Sequence, residues 1–161
     1  MKAHTLLAAA MLVAGVNCRA ELPRLGLGMA FAPIAGNGFS VRYLPESKWG
    51  WQAGAVFFKS SDHSFANVGG AALWVIKHES NTAIYLPIGA SFSYSNQLEM
   101  EGPDDHEVRR RSSNLDFGAG LGLTGHLAGM DDIWLFADLV ILFSAKYIGP
   151  MPQIGVHYYL K

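Results

Sequence analysis

Cysteine is almost absent from this sequence. Its single cysteine, Cys18, lies in an N-terminal segment typical of a secretory leader, so a chain cut after Ala20 retains none. An exported protein without cysteine forms no disulfide, and its stability must come from another source, such as closure of a sheet into a barrel. Long apolar runs are also missing. The stretch from Ile133 to Phe143 is interrupted by Asp138, and no segment after the leader predicts a membrane-spanning helix.

Charge of either sign is scarce. Only 16% of the residues are charged, with 12 basic against 13 acidic residues. Loss of the leader removes Lys2 and Arg19 and no acidic residue, which leaves a formal charge of −3 on residues 21–161. Because a nucleic-acid-binding domain carries a basic surface, this balance predicts no nucleic acid partner. The length of the remaining chain fits one domain.

The leader has the three parts of a signal peptide. Lys2 provides the positive start, an apolar stretch runs from Leu6 to Val16, and small residues precede the expected cut after Ala20. The apolar stretch is too short to cross a bilayer as a helix. We therefore predict a signal peptide at 1–20 and a single domain at 21–161.

Apolar side chains alternate with small or weakly polar ones over long segments. Two segments show this best, residues 84–94 and 115–127. Successive side chains of a strand point to opposite faces, so each segment has one apolar face and one face of Gly, Ser, Thr and Ala. A soluble sheet would carry many charges on its second face, whereas here the charges concentrate in the connections. This pattern is typical of a barrel with a lipid-facing outside and a crowded polar inside.

The alternation predicts eight strands and an all-β fold. Their expected ranges are 24–33, 38–44, 49–59, 66–77, 82–95, 112–128, 132–146 and 152–160. Most reach the 9–11 residues that a membrane-spanning strand needs. Pro87 falls inside the fifth strand, where it predicts a bulge or a missing ladder bond.

The connections alternate in length. The second (45–48), fourth (78–81) and sixth (129–132) are short, while the fifth, 96–111, is long and highly charged. In outer-membrane barrels short turns lie on the periplasmic side with both termini, and longer loops lie outside. An even number of strands places the three short connections on one side and the long one on the other. Residues 96–111 are therefore expected to form a mobile external loop.

On this architecture the chain resembles the small outer-membrane barrels of the OmpA, OmpX and OmpW type. The resemblance implies an eight-stranded antiparallel up-and-down transmembrane β-barrel in the bacterial outer membrane. It also implies a monomer that contacts outer-membrane lipid and lipopolysaccharide and is assembled by the barrel-insertion machinery. The chain departs from these proteins at its end, where Lys161 follows Leu160 in place of a terminal aromatic residue.

Polar side chains on the inner faces are expected to fill the lumen as a network. A barrel of eight strands is just wide enough to be filled by side chains, and a charge on the lipid side costs about 2–4 kcal/mol at mid-membrane. A narrow or gated pore is the alternative. The expected network comprises Arg42, Gln52, Asp116, Thr124, His126, Asp138, Lys146, Gln153 and His157.

The register of the sixth and seventh strands can also be predicted. A hairpin around 129–132 would set Thr124 opposite Asp138 and Asp116 opposite Lys146.

Residues able to carry catalysis are present without a motif that joins them. His126 and His157 could act as bases for Ser91, Ser93 or Thr124, but no spacing selects a pair. The acidic residues of 96–111 lack the glycine-centred pattern of a calcium loop, and its arginines suit contacts with phosphate. We therefore expect no enzyme activity, no metal and no cofactor.

The sequence favours an integral outer-membrane protein with a structural or surface-interaction role. Two alternatives remain at this stage. One is an exported soluble barrel that binds a small apolar ligand, as lipocalins do. The other is an outer-membrane enzyme that modifies lipids.

Overall fold

Eight antiparallel strands close into one barrel. The computed structural model describes residues 25–45, 47–61, 63–79, 81–101, 106–127 and 129–160, so the expected signal peptide lies outside the described residues. Each strand pairs with its sequence neighbours and β1 pairs with β8, which confirms the predicted fold. Within these ranges no helix is long and apolar enough to cross a membrane. The strands are β1 (Leu25–Phe31), β2 (Gly38–Tyr43), β3 (Trp49–Lys59), β4 (His63–His78), β5 (Thr82–Glu101), β6 (His106–Leu127), β7 (Met130–Phe143) and β8 (Ile148–Tyr159).

The predicted alternation of faces holds along the strands. In β5, Tyr85 is fully buried whereas Ile88 is 53% exposed. In β6, Thr124 is buried whereas Leu121 and Leu123 are more than half exposed. Side chains of one parity therefore point into the barrel and those of the other parity point out, apart from register shifts between Val75 and Lys77 and between His126 and Leu127. The outward faces are mainly apolar, and the inward faces carry small, polar and aromatic side chains.

The two ends of the barrel differ. The terminal end carries both ends of the described chain, where the Leu160 amide donates to the Leu25 carbonyl at 2.9 Å, together with the second, fourth and sixth connections. The loop end carries the other four connections. We call the two halves of the lumen the terminal half and the loop half.

The expected mobile loop at 96–111 is largely strand. β5 continues to Glu101 and β6 begins at His106, with paired positions from Asn96↔Arg111 to Glu101↔His106. The two arms, 96–101 and 106–111, satisfy each other's backbone groups and so stay regular beyond the barrel rim. We call these two arms the ribbon.

Pro87 has the predicted effect on its ladder. Pairing of β5 with β6 runs to Tyr85↔Gly122 and resumes only at Ile88↔Ala119. On its other side Pro87 faces Leu73 of β4 in regular register. Because the proline nitrogen has no hydrogen to donate, it cannot form a ladder bond to β6, and the gap falls on that side.

The expected register of β6 against β7 is wrong. Phe136, not Asp138, lies opposite Thr124, and Asp138 faces Gly122. The chain turns earlier than expected, with Leu127 paired to Met130 and Gly129 at a φ of 81°. The register then shifts between His126 and Leu127, because the tight turn needs a bulge to rejoin the ladder.

Candidate functional site: the filled lumen and the apolar outer wall

Arg42 lies at the centre of the terminal half and is fully buried. Its Nη1 donates to Gln52 Oε1 at 3.1 Å. The guanidinium carbon lies 4.6 Å from the ring centres of Tyr85 and of Phe136. A planar cation with few hydrogen bonds is stabilised by such ring contacts, which strengthen when water is excluded.

Asp138 provides the opposite charge in this half. It is 6% exposed and accepts a hydrogen bond from the Tyr85 hydroxyl. Tyr85 therefore links Asp138 to Arg42, since its ring contacts the cation and its hydroxyl binds the anion. Gly122 leaves space for this ring, because a Cβ there would overlap it. Burial of two opposite charges together avoids the cost of one isolated charge.

An aromatic layer lies next to this charged cluster. The ring of His157 stacks on Phe136 at 5.5 Å, and its Nε2 lies 3.0 Å from Ser40 Oγ. Trp134 and Tyr159 pack together at 5.6 Å and are 7% and 6% exposed. These buried side chains occupy the terminal half of the lumen.

Most of the residues expected in the lumen network are found there. Arg42, Gln52, Thr124, Asp138, Gln153 and His157 are all buried. Asp116 lies near the loop end, where Asn114 donates to it and also to Ser144 Oγ. His126 lies near the terminal end with an edge contact to Trp134 at 5.9 Å.

Lys146 is an exception, and its expected pairing with Asp116 is wrong. β7 ends at Phe143, and the Ser144 amide donates to the Tyr147 carbonyl at 2.9 Å, closing a tight turn. Lys146 lies at the tip of that turn and is exposed. The strand was expected to continue to 146, so the turn was missed.

The sequence interpretation did not include the aromatic partners of Arg42. By alternation Tyr85 lies on the face of 84–94 opposite Ile84 and Ile88, and Phe136 shares the face of Asp138, but neither is in the expected network. The signal available was the parity of these two aromatic residues, which places both on inward faces. Nothing in one sequence shows that rings from β5 and β7 both contact Arg42 on β2.

The connection between β1 and β2, residues 32–37, folds into the loop half of the lumen. We call it the inner loop. Ala32 and Ile34 are 0% exposed and Ala35 is 2% exposed. Ile34 packs with Val140 and Leu142 of β7. The loop half is therefore closed by a segment of backbone rather than by long side chains.

Polar side chains of the wall hold the inner loop. The Asn37 amide donates to Asn67 Oδ1 at 2.6 Å, and the Ser91 hydroxyl donates to the Pro33 carbonyl. Within the loop, the Ala32 amide donates to Asn37 Oδ1 at 2.9 Å. The buried backbone groups thus find partners without a regular ladder.

Glycines on the surrounding strands make room for this loop. A Cβ at Gly118 would lie 2.7 Å from Ile34 Cγ2, and one at Gly89 would lie 2.7 Å from the Ile34 carbonyl oxygen. A Cβ at Gly69 would lie 2.8 Å from the carbonyl carbon of Ala35. The small residues noted in the sequence therefore let backbone approach backbone closely.

The outer wall is an apolar belt. On β5, Ile84, Ile88 and Phe92 are between 38% and 53% exposed, and all eight strands contribute exposed apolar side chains. From Ile84 to Tyr94 a strand rises about 33 Å, and a tilt of about 40° leaves a belt about 25 Å tall, the height of the apolar band of outer-membrane barrels.

Aromatic residues mark the lower edge of the belt at the terminal end. Trp49 stacks on Trp74 at 6.1 Å, and Tyr43 stacks on Trp51 at 6.1 Å. Trp49 is 59% exposed. Amphipathic rings at this level are typical of an interface between lipid and water.

Comparison with known proteins supports the fold. No protein-family model and no curated protein matches the chain. A major outer membrane protein from Thermus thermophilus is similar in structure, with a TM-score of 0.56 at 11% identity, over 87% of this chain and 100% of that one. The N-terminal β-barrel domain of Pseudomonas aeruginosa OprF has a TM-score of 0.47 at 14% identity, over 84% and 93% of the two chains. Ail, the attachment invasion locus protein of Yersinia pestis, has a TM-score of 0.46 at 17% identity, over 84% and 95%. At 11% identity the likeness to the Thermus protein is one of fold alone, and this chain shares the barrel fold of that outer membrane protein.

Proposed function

We propose that this chain is an integral protein of the bacterial outer membrane, with a closed lumen and a structural or surface-interaction role. The observation that carries this proposal is the contrast between an apolar wall exposed all round and an interior filled with polar and aromatic groups. In water such a wall would expose far more contiguous apolar surface than a soluble monomer tolerates. In a bilayer the same wall faces lipid.

The soluble ligand-binding barrel is less well supported. A lipocalin-like protein needs an apolar cavity inside and a charged surface outside. Here Arg42, Asp138 and His157 are buried in the interior, and the inner loop fills the remaining half. The distribution of side chains is the reverse of what that function requires.

A lipid-modifying enzyme is also less well supported. Ser40 and His157 form a serine–histidine contact, but they are 0% and 1% exposed, and the His157 ring is itself part of the aromatic layer. Ser91 and Thr124 use their hydroxyls to bind the Pro33 and Leu135 carbonyls. A nucleophile must be reachable by substrate and hydrogen-bonded to its base, and these groups are sealed or otherwise engaged.

The ribbon is the part best placed for contacts outside the cell. It extends beyond the apolar belt at the loop end, and Arg110 and Arg111 are exposed on it. Arginine suits phosphate and carboxylate groups because it donates two parallel hydrogen bonds. If the termini lie on the periplasmic side, the loop end faces outward. We propose that the ribbon at the loop end contacts lipopolysaccharide. We also propose that the protein is a monomer and is assembled by the barrel-insertion machinery.

Cell fractionation tests the membrane location. The protein should sediment with outer membranes, resist extraction by carbonate and high salt, and require detergent for solubility. On gels in dodecyl sulfate the unheated barrel should migrate faster than the heated chain. Recovery from the soluble periplasm would contradict the proposal and favour the ligand-binding barrel.

A further inference from the structure

The rim of the barrel is uneven at the loop end. Pairing of β2 with β3 reaches only Ala55, and pairing of β6 with β7 reaches only Phe117. Beyond these positions β3, β4, β5 and β6 continue to pair with one another, and the ribbon prolongs the last two of them. A four-stranded sheet therefore rises above the rest of the rim. We call it the raised sheet, and it comprises residues 56–59, 63–67, 93–97 and 110–114.

One face of the raised sheet looks towards the barrel axis, above the inner loop. Asn67 fixes the direction of this face, because its buried side chain holds the inner loop. The row one step further out on the same face has two phenyl rings on β3 and β4, followed by two hydroxyls on β5 and β6. Three strand spacings of about 4.8 Å give this row a width of about 14 Å. Its members are Phe58, Phe65, Ser95 and Ser112.

Phe58 is the apolar end of this row. It has the inward parity of its strand, yet it is 56% exposed, since β2 does not pair with β3 at this height. Its ring lies 6.2 Å from the ring of His63, and the half-buried Phe65 is its partner across the ladder. Because this face is turned away from the lipid-facing belt, the two phenyl rings offer their apolar surface to a ligand that arrives from the water.

Asn114 provides a fixed acceptor beside the hydroxyls. Its Nδ2 donates to Asp116 and also to Ser144 Oγ, the second at 2.8 Å. An amide nitrogen has two hydrogens, so both are used, and the group that Asn114 can offer a ligand is its oxygen. The serine hydroxyls at positions 93, 95 and 112 can each donate and accept. The polar half of the face therefore suits a ligand that itself carries several hydroxyls.

The composition of the face selects among ligand classes. An acyl chain would cover the hydroxyls without giving them hydrogen-bond partners, which is costly. The charges next to the two rows balance, because Asp116 lies below them and Arg110 above them, so the face has no net attraction for an anion. A sugar ring has one apolar face of C–H groups and an edge of hydroxyls, which matches phenyl rings beside hydroxyls and an amide oxygen.

We propose that this face of the raised sheet binds a neutral, lipid-free oligosaccharide from the medium. Its rings lie against Phe58 and Phe65, and its hydroxyls bond to Ser95, Ser112 and Asn114 Oδ1. The proposal rests on the proposed membrane location and gives the surface-interaction role a ligand class. It differs from the contact proposed between the ribbon and lipopolysaccharide, because it uses neither phosphate nor the lipid-facing wall.

The test measures binding of lipid-free sugars to the full barrel in phospholipid nanodiscs. The neutral probes are linear hexasaccharides of glucose, galactose, mannose and N-acetylglucosamine, and a galacturonic acid oligomer is the anionic probe. Saturation-transfer NMR detects the sugar protons that contact the protein. At least one neutral probe should bind saturably, with the strongest transfer to its ring C–H protons, and the anionic oligomer should bind more weakly.

Neighbouring residues on opposite faces of the sheet provide matched controls. Phe58→Ala should weaken binding of the neutral sugar about tenfold, whereas Phe57→Ala, which removes the adjacent ring from the outer face, should leave it unchanged. Ser112→Ala should weaken binding about fivefold, the effect of one hydrogen bond, whereas Ser113→Ala on the outer face should not. Fast migration of the unheated barrel on gels verifies that each variant is folded.

Absence of saturable binding by all four neutral sugars would overturn the site, as would equal weakening by both members of either pair. Tighter binding of the galacturonic acid oligomer would assign the ligand to basic side chains of the ribbon and would also overturn it. Failure of the proposed function is a different outcome, because it would appear earlier as a protein that stays soluble without detergent.

Discussion

The two halves of the lumen are closed by different means. The terminal half is filled by long side chains from the strands, centred on Arg42, Tyr85 and Asp138. The loop half is filled by the inner loop, which fits against glycines of the wall. In the first half, closure depends on charge and aromatic contacts; in the second it depends on close approach of backbones. The two seals lie in series, so loss of one leaves the other in place.

The largest effect should come from the charged centre of the terminal half. Arg42→Ala should lower the free energy of unfolding by about 3–5 kcal/mol, because Asp138 is left as a buried charge without its partner. Urea unfolding in detergent micelles measures this. Arg111→Ala removes an exposed arginine and is the control, with a change within about 0.5 kcal/mol. Similar losses of unfolding free energy for both variants would mean that Arg42 does not stabilise the terminal half of the lumen.

The seal of the loop half can be tested by chemical accessibility. The mature chain should lack cysteine, so Ala35→Cys introduces a single thiol into the buried inner loop, and Ser61→Cys places one in an exposed turn at the same end. A water-soluble maleimide should react with residue 35 roughly a hundredfold more slowly, since reaction requires the loop to open. Equal rates would show that the inner loop leaves the lumen freely and that only the terminal half is sealed.

The glycine fit should give a smaller effect. Gly118→Ala should lower the free energy of unfolding by about 1–3 kcal/mol, because its Cβ would lie 2.7 Å from Ile34 Cγ2 and 2.8 Å from the Ile141 carbonyl oxygen. When Gly118→Ala is combined with Ile34→Ala, which removes Cγ2, the loss of unfolding free energy should be smaller than the sum of the losses from the two single changes. Gly70→Ala is the control, since the nearest atom to its Cβ would be the Gln52 carbonyl oxygen at 3.6 Å. Strict additivity of Gly118→Ala and Ile34→Ala would show that the inner loop does not fill the lumen against β6.

The smallest effect is expected where the sequence alone predicted a charge pair. Asp116→Asn and Lys146→Met should be additive within about 0.3–0.5 kcal/mol, because Lys146 is exposed in a turn. A double-mutant cycle by urea unfolding measures the coupling. A clear coupling energy would restore the register expected from the sequence and extend the charged network from the terminal half into the loop half.

Local pattern was sufficient for much of the fold. The period of two in 84–94 and 115–127 predicted both the strands and their lipid-facing sides, because the direction of a side chain on a strand depends only on its position. Pro87 similarly predicted its own gap in the ladder. Register was predicted less well, since the bulge after His126 depends on the geometry of one turn.

The sequence by itself determined the number of strands and the inward faces of Arg42, Gln52, Asp138 and His157. These faces follow from alternation along each strand. The tertiary structure alone decided that residues 32–37 turn inward and that Arg42 contacts the rings of both Tyr85 and Phe136. Those contacts join strands far apart in sequence, and only closure of the barrel brings them within reach. Lys146 shows the same limit, because one tight turn moved it from the expected inner wall to the surface.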